Sequence, residues 1–387
     1  MAGALGPLDG FRVLDVGTRI AASFCAGALG ELGAHVIKVE QPGAGEFLRY
    51  LGPLHDGNSL MWSVEGRGRK SITLDLRLRE GQTLLRRLAE RVDVLCENFR
   101  PGTMERWCLG PSDLPSSLVY VRVSVFGQTG PLARRPGVDM VGIAHGGLLG
   151  LTGYPDGPPM KSNITISDHL TGVFAAKAAV FALFRREVDG DGAVVDASLF
   201  GSIFRTLDWR IAAEERGVPA TRSGALDPDL PGLLLIEGAD GRYVATGASR
   251  PMDLDALTAV IWPGDRPGDR PGDRPGGDSA SRVIASALTA DELIRELEKA
   301  EVPHALVRTP RDIVDEYRLG HMSNELVEVT DPVFGTCLQP AAFPAVLDTD
   351  QQPTGAPTVG EHNTEIWCDL VGLSSGELAD LMERGVI

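Results

Sequence analysis

The N-terminal part of the chain alternates strand-like and helix-like segments, and this alternation restricts the folds open to it. Residues 11–16 (FRVLDV) predict a buried strand. Residues 21–32 are rich in small side chains and predict a helix, and residues 35–39 predict a second strand. A strand, a helix and a strand within about 30 residues make a βαβ unit, in which the two strands pair in parallel.

The alternation continues along the chain. Further strands are predicted at residues 71–76, 93–96, 118–125 and 193–197, and further helices at 80–91, 170–186 and 198–214. This order predicts an α/β fold with a doubly wound, Rossmann-like parallel sheet, which binds ligands outside the carboxyl ends of its strands. The turn after the first strand reads GTRIAAS in place of GxGxxG, and the chain has no GxxxxGK[ST] loop. Nicotinamide binding and simple P-loop phosphate binding are therefore weak interpretations.

The C-terminal half shows a different pattern. A Pro- and Gly-rich stretch predicts a linker, and it is followed by short strands, a hairpin signal and helices. The linker covers residues 217–232, the strands 233–236 and 243–246, and the helices 252–261, 280–288 and 289–301. Because 387 residues exceed what one hydrophobic core normally holds, we expect a second, smaller α+β domain.

An insertion interrupts this smaller domain at residues 263–276. The tetrapeptide Pro-Gly-Asp-Arg recurs three times there before a final Pro-Gly. Proline at this density is incompatible with a helix or a central strand, so the tract predicts an exposed, mobile segment without regular structure.

Charge and cysteine content argue against several functions. The formal net charge of −16 disfavours nucleic-acid binding, which needs a basic face. The five cysteines have no CxxC spacing, so neither a disulfide framework nor a metal site is predicted. The chain opens without a signal peptide and has no apolar run of the roughly 20 residues that a membrane helix needs. We therefore expect a cytoplasmic protein that does not bind a membrane.

An anionic ligand would need a local basic patch on this acidic chain. Five residues in or near the loops that flank the predicted strands could supply it: Arg69, Lys70, Asn98, Arg100 and Arg106. Any one of them is more often a solvated surface residue, so the hypothesis depends on the cluster.

The stretch 135–172 holds two acids, Asp139 and Asp168, separated by a glycine-rich region. Asp168 follows a β-type run at 163–167 and precedes an apolar helical pattern that starts near His169. One interpretation is a helix N-cap, in which Ser167 or Asp168 accepts free backbone N–H groups. The other is a carboxylate nucleophile at a strand-to-helix junction.

The motifs of the chain, taken together, resemble the class III CoA-transferase family, also called the carnitine and bile-acid inducible (CaiB/BaiF) family. The resemblance covers nearly the whole length. The segments that carry it include LDGFRVLDV, GAHVIKVEQPGAGEFLR, GRKSITLDL, VDVLCENFRPGTMER, FGQTGP, GVDMVGIAHGGLLGLTG, DGAVVDASLF and GEHNTEIWCDLVGLSSGELADLMERGVI. The insertion at 263–276 has no counterpart in the family pattern.

The resemblance implies specific residues and an assembly. The family's catalytic acid falls on Asp168, and Asp139 lies close to it, where it tunes the nucleophile, positions substrate or merely caps a loop. The family's positions that bind coenzyme A fall on Ile20, Ala21, Arg69, Lys70, Asn98, Phe99 and Arg106. The family also forms interlocked homodimers. Its division places residues 1–215 and 330–387 in a large CoA-binding domain and 225–325 in a small one.

The implied reaction moves CoA from an acyl-CoA to a carboxylic acid through an aspartyl-CoA thioester on Asp168. An aspartate of ordinary pKa, about 3.9, is ionised at pH 7 and needs no general base. Because a carboxylate is a weak nucleophile, orientation of the reactants must supply much of the rate.

Two other functions are weighed against this one. The racemase branch of the family moves a proton α to a thioester and has a histidine where this chain has Val138, so a 2-methylacyl-CoA isomerase would need another base. The nearby histidines are His145, which is expected to be structural, and His169, which is expected to point away from Asp168. A CoA-binding protein without turnover is disfavoured because Asp168 is present.

Overall fold

The computed structural model describes residues 6–225, 232–261, 284–322, 324–346 and 353–387. The predicted insertion at 263–276 lies outside these residues. By contacts, the chain divides into two compact units. Unit 1 comprises Met1–Gly146, Asn163–Thr206 and Ser323–Ile387, and unit 2 comprises Gly147–Ser162 and Leu207–Met322.

Strands and helices alternate through most of unit 1. The strands of the described residues are β1 (Arg12–Asp15), β2 (His35–Glu40), β3 (Leu54–His55), β4 (Asn58–Ser59), β5 (Arg69–Thr73), β6 (Val94–Glu97), β7 (Val119–Ser124), β8 (Val194–Ser198), β9 (Leu235–Glu237), β10 (Tyr243–Thr246), β11 (Ile284–Ala285), β12 (His304–Leu306), β13 (Leu326–Asp331) and β14 (Gly335–Pro340). The α-helices are α1 (Ala21–Glu31), α2 (Leu60–Glu65), α3 (Arg79–Ala89), α4 (Thr103–Arg106), α5 (Asp139–His145), α6 (Leu148–Leu151), α7 (Ile166–Asp189), α8 (Leu199–Arg205), α9 (Arg210–Glu215), α10 (Pro251–Ile261), α11 (Ala290–Lys299), α12 (Pro310–Arg318) and α13 (Ser375–Glu383). Short 3₁₀ helices cover Phe47–Tyr50 and Pro111–Asp113, and Glu365–Leu370 is a π-helix.

A six-stranded sheet in the order β5-β2-β1-β6-β7-β8 forms the centre of unit 1, and all its pairs are parallel. This confirms the predicted mixed α/β fold with a parallel sheet. Val13 of β1 lies between Val36 of β2 and Val94 of β6. The strand order reverses between β1 and β6, and ligands of open α/β sheets bind beside the carboxyl ends of the strands at such a point.

Helices cover both faces of this sheet. One face packs on α3, α13 and the buried Trp367, and the other packs on α1 and α7. Small side chains let α1 and α7 approach closely: a Cβ added at Gly172 would lie 3.0 Å from the carbonyl oxygen of Ala21 and 2.8 Å from the ring of Phe24. The first turns of α1 and α7 therefore lie next to each other.

The C-terminal segment completes the exposed edge of β5. Asn363 accepts a hydrogen bond from the backbone N–H of Thr73 at 2.8 Å, and His362 donates its backbone N–H to the carbonyl of Ser71 at 2.8 Å. An unpaired sheet edge would otherwise leave these backbone groups without partners. The GEHNTE motif thus has a structural role on this edge.

Unit 2 contains a four-stranded mixed sheet in the order β11-β9-β10-β12. Its core is formed by apolar residues of these strands and of α10 and α11, including Ile236, Val244, Leu257 and Leu293. The contact-based units differ from the domains expected from the sequence, since Gly147–Ser162 and residues 207–215 group with unit 2. The domain boundaries themselves stay a prediction.

Three predicted elements are wrong. The single helix expected at 198–214 is two helices, because Asp208 has a left-handed backbone (φ 52°) that interrupts the helical path. The helix expected at 280–288 includes β11, which pairs with β9, while residues 280–283 are outside the described part. The β-type run at 163–167 is not a strand, because α7 already begins at Ile166.

One described helix, α7, is long and apolar enough to cross a membrane by length and composition alone. A core helix of a globular protein passes the same test. The face of α7 that carries Ala175, Ala179 and Leu183 is buried in the α/β core.

Candidate active site

The two acids meet where α5 begins beside the first turn of α7. Asp139 is the first residue of α5, and Asp168 is the third residue of α7. The N-cap position of α7 is Thr165, whose side chain makes no capping bond. The N-cap interpretation of Ser167 and Asp168 is therefore wrong, because both lie inside the helix.

Asp139 supplies the missing cap. Its Oδ1 accepts hydrogen bonds from the backbone N–H of Ser167 at 2.8 Å, from the Ser167 hydroxyl at 2.7 Å and from the backbone N–H of Asp168 at 3.2 Å. The first N–H groups of a helix have no partner within the helix, so a carboxylate from another element can bind them. Asp139 thus fixes the backbone of Asp168.

The carboxyl group of Asp168 is perturbed. Burial is the main cause that raises its pKa to about 7, and the negative charge of Asp139 raises it further. His169 and Arg19 act electrostatically to lower the pKa of Asp168. The expectation of an ordinary, fully ionised aspartate is wrong here, because a desolvated carboxylate beside a second one holds its proton up to neutral pH.

The two nearby histidines do not face Asp168. His169 Nε2 lies 3.6 Å from Glu65, its Nδ1 lies 2.7 Å from the Thr165 carbonyl, and its ring packs edge-on against Phe24. Glu65 raises the pKa of His169 by hydrogen bonding. His145 instead packs against aromatic rings, those of Phe126 and Phe200. Both positions agree with the roles expected from the sequence.

Four of the predicted CoA-binding residues lie beside the carboxyl ends of β1 and β6. Ile20 and Ala21 are buried at the start of α1. Asn98 is tied to the β1–α1 turn: its Oδ1 accepts from the Thr18 N–H at 2.8 Å and its Nδ2 donates to the Thr18 carbonyl at 2.6 Å. Phe99 follows directly and contacts the Trp107 ring.

Glu97 holds the turn that carries Asn98 and Phe99. One oxygen accepts the backbone N–H of Phe99 at 2.7 Å, and the other accepts from Arg122 Nε at 2.7 Å. Burial raises the pKa of Glu97 to about 7 although Arg122 opposes the shift. The buried pair keeps this turn in one conformation.

Arg69 and Lys70 point to opposite faces of the sheet. Arg69 is buried and donates to Asp15 Oδ2 at 2.6 Å and to the Ser23 carbonyl at 2.8 Å. Lys70 is partly exposed on the other face and pairs with Glu365. The structure therefore does not bring Lys70 together with Asp168 within one chain.

Arg106 lines a basic cavity of about 520 Å³ with Arg100, Pro101, Gly102 and Arg134. Across the described ranges, the three arginines have no ion pair with a carboxylate. Arg106 donates a hydrogen bond to the Thr103 hydroxyl at 2.9 Å. Guanidinium groups that line one cavity without a carboxylate partner suit a phosphate or carboxylate ligand.

The sequence of the chain matches the family model described as CoA-transferase family III over residues 8–363. The chain belongs to CoA-transferase family III. It is 35% identical over 399 residues to the succinyl-CoA–D-citramalate CoA-transferase of Chloroflexus aurantiacus, with 98% of both chains covered. It is 32% identical over 398 residues to the succinyl-CoA:mesaconate CoA-transferase of Haloarcula marismortui, covering 96% of this chain and 98% of that one.

The fold of this CoA-transferase is also similar to solved structures. A CaiB/BaiF family protein from Brucella suis superimposes with a TM-score of 0.80 at 26% identity, covering 95% of this chain and 100% of that one. The family membership makes the chain an enzyme that uses CoA thioesters.

Sequence reasoning missed several residues of this site. Arg134 lies in the loop after β7, and its position after a strand was the available signal. Arg19 and Glu46 gave no signal in sequence. Arg19 lowers the pKa of Asp168 only because α7 packs against the start of α1. Glu46 accepts the backbone N–H of Arg19 only because the start of the 3₁₀ helix Phe47–Tyr50 lies beside the β1–α1 turn.

Proposed function

We propose that this enzyme moves CoA from an acyl-CoA donor to a carboxylate acceptor through an aspartyl-CoA thioester on Asp168. The observation that carries the proposal is the setting of Asp168. Its backbone is fixed by Asp139, and within the described ranges its carboxylate accepts no hydrogen bond. A carboxylate that is held in place and left without a partner is suited to attack an electrophile.

The reaction would proceed in two symmetrical halves. The Asp168 carboxylate attacks the thioester carbonyl, and the C–S bond breaks to give a mixed anhydride and CoA thiolate. The thiolate then attacks the aspartyl carbonyl, which forms the aspartyl-CoA thioester and releases the donor as a free carboxylate. The acceptor carboxylate repeats these steps in reverse order, so that a new acyl-CoA leaves and Asp168 is regenerated.

Mass spectrometry of the intact protein tests this proposal. Incubation with succinyl-CoA, the donor named for both relatives, is expected to add CoA minus water to the chain. Borohydride reduction followed by peptide mapping should place the change on Asp168. Absence of the adduct, together with entry of solvent deuterium at the acyl α-carbon, would favour the isomerase.

The ionisation of Asp168 predicts a pH dependence. Only the carboxylate attacks, so formation of the adduct should rise about tenfold per pH unit below a pKa of about 7 and level off above it. The charged groups that act on Asp168 are Asp139 from α5, Arg19 from the β1–α1 turn and His169 from α7 itself. Single-turnover measurements from pH 5 to 9 would record the profile.

An Asp139→Asn variant should move this profile to lower pH. The substitution removes a negative charge that raises the pKa of Asp168, while an amide oxygen can still accept the helix N–H groups. An unchanged midpoint, or a shift to higher pH, would contradict the electrostatic role of Asp139.

For CoA itself, we propose a site beside the carboxyl ends of β1 and β6. The backbone at the buried Ile20 and Ala21 and the side chain of Phe99 would contact the ligand there, while Asn98 holds the turn that contains Thr18. The basic cavity described above, with Arg100, Arg106 and Arg134, supplies charge for the CoA phosphates. Lys70 remains a proposed contact, and the burial of Arg69 favours a supporting position beneath the site.

We also propose that the chain forms an interlocked homodimer, with a large domain of residues 1–215 and 330–387 and a small domain of 225–325. An apolar stripe on the exposed face of α7 supports a covering partner. Its members are Val173 (51% exposed), Phe181 (65%), Phe184 (73%) and Val188 (80%). They recur at helical spacing on one side of α7, where the exposed Lys177 lies between Val173 and Phe181, and exposed apolar clusters of this kind mark interaction sites.

Subunit mixing distinguishes an interlocked dimer from a simple one. Two differently tagged versions are expected to form mixed dimers when co-expressed but not when purified separately and then mixed, because interlocked chains separate only by unfolding. Native mass spectrometry would measure both samples. Rapid exchange after mixing would argue against interlocking, and a monomer in both samples would argue against the dimer.

A further inference from the structure

The β1–α1 turn holds an arginine in an uncommon backbone conformation. Arg19 has φ 62°, a left-handed value that few residues other than glycine adopt. The backbone N–H of Arg19 donates to Glu46 Oε1 at 2.7 Å, and the Thr18 hydroxyl donates to the same oxygen at 3.0 Å. With Asn98 bound to Thr18 from the other side, the turn is fixed, and strain maintained in this way is typical of functional sites.

The side chain of Arg19 is free where neighbouring arginines are not. Arg49 pairs with Glu40 at 2.7 Å and Arg69 pairs with Asp15 at 2.6 Å. The Arg19 guanidinium instead lies over the ring of Phe47, 4.5 Å from its centroid, and has no carboxylate partner across the described ranges. Stacking occupies a face of the guanidinium and leaves the N–H groups at its edge available for a bidentate anion.

Arg19 and Asp168 lie near the starts of two helices, α1 and α7, that pack against each other. Gly172 of α7 packs against Ala21 of α1. Asp168 lies one helical turn before Gly172, and Arg19 lies just before Ala21 in the turn that leads into α1. The charge of Arg19 acts on the Asp168 carboxyl group. A free, preoriented cation therefore lies within electrostatic reach of the proposed nucleophile.

We propose that Arg19 binds the distal carboxylate of a dicarboxylic acyl group, so that both donor and acceptor of this enzyme are dicarboxylic acids. The inference rests on the function proposed for Asp168. The reacting carboxylate loses its charge when it becomes a thioester or an anhydride, so only a second carboxylate keeps a charge for Arg19 through the reaction. The same cation serves both halves, because donor and acceptor react in turn at Asp168.

The test compares two donors of equal chain length, succinyl-CoA and butyryl-CoA, which differ at the distal end by a carboxylate. The ratio of their kcat/KM values is measured for the wild type, for Arg19→Gln and for Arg19→Lys. We expect a wild-type preference for succinyl-CoA that Arg19→Gln lowers by roughly 10–100-fold, the usual range for a lost hydrogen-bonded charge pair. Arg19→Lys keeps the charge without the bidentate geometry of a guanidinium, so its kcat/KM ratio should lie between those of the wild type and Arg19→Gln.

The ratio of kcat/KM for succinyl-CoA to that for butyryl-CoA separates recognition of the distal carboxylate from effects common to both donors. Arg19→Gln also alters the ionisation of Asp168, but this change affects both donors and cancels. Arg79→Gln, which removes an exposed arginine at the start of α3, serves as the matched control and should leave the ratio unchanged.

The outcomes separate the two proposals. An aspartyl-CoA adduct in Arg19→Gln with a ratio equal to that of the wild type overturns the role of Arg19 and leaves the function of Asp168 standing. A wild-type enzyme that uses both donors equally also overturns it, without any variant. No adduct in the wild type with either donor would remove the proposed function and this inference together.

Discussion

Asp168→Ala and Asp168→Asn are expected to lower CoA transfer by at least about 10³-fold and to abolish the covalent CoA adduct. Loss of a nucleophile removes the covalent route, and what remains is catalysis by binding and orientation alone. Initial rates with succinyl-CoA and a dicarboxylate acceptor, together with intact mass, would measure both effects. Asp191→Asn, which changes an exposed aspartate just beyond the other end of α7, should behave as the wild type.

The loss of CoA transfer in the Asp168 variants should not result from unfolding of the protein. Because the pKa of Asp168 is raised from 3.8 to about 7, the folded protein binds more protons than the unfolded chain in this range, and stability falls as the pH rises through it. The Asp168→Asn variant lacks the unfavourable charge, so above pH 7 it should be at least as stable as the wild type. Retained activity and adduct in Asp168→Ala would contradict the nucleophilic role.

The place of Asp168 beside a helix start could be predicted from the sequence, but the environment of its carboxyl group could not. An acid directly before an apolar helical pattern indicates a helix start, and the motifs around Asp168 carry the family resemblance. The raised pKa depends on burial and on Asp139, which is 29 residues earlier in the chain. Neither the depth of burial nor the bond between these acids is encoded in local spacing.

In the fold, too, some elements could be predicted from the sequence and others depend on contacts between distant residues. The strands of the parallel sheet, such as β1 and β7, are buried over most of their length because helices cover both faces of the sheet, and their apolar residues made them predictable. The short strand β11 was missed since its two residues gain their structure from pairing with β9. The break between α8 and α9 at Asp208 was missed because an aspartate does not require a left-handed backbone.

Arg69 and Lys70 show how one strand boundary changes a functional prediction. The sequence pattern started the strand at residue 71, which left both cations in a loop where either could contact a ligand. The strand instead begins at Arg69, which pairs in register with Val36. Alternate residues of a strand point to opposite faces, so these neighbours have different surroundings.

Arg69→Met is expected to lower the free energy of unfolding by about 3–5 kcal/mol, the usual cost of removing one partner of a buried ion pair. The guanidinium lies against α1, where a Cβ added at Gly27 would be 2.8 Å from Arg69 Nη2, and it binds Asp15 and Ser23. Methionine leaves Asp15 buried with Lys38 as its remaining cation, 3.3 Å away. Denaturant unfolding at a fixed protein concentration would measure the change.

Lys70→Met provides the matched control on the next residue. Its pair with Glu365 is partly exposed, and such pairs contribute only about 0–1 kcal/mol, so unfolding should change little. If Lys70 contacts CoA as proposed, the KM for the acyl-CoA should rise in this variant. The opposite pattern, with Arg69→Met raising KM at unchanged stability, would contradict the supporting role of the buried Arg69–Asp15 pair and favour a contact between Arg69 and CoA.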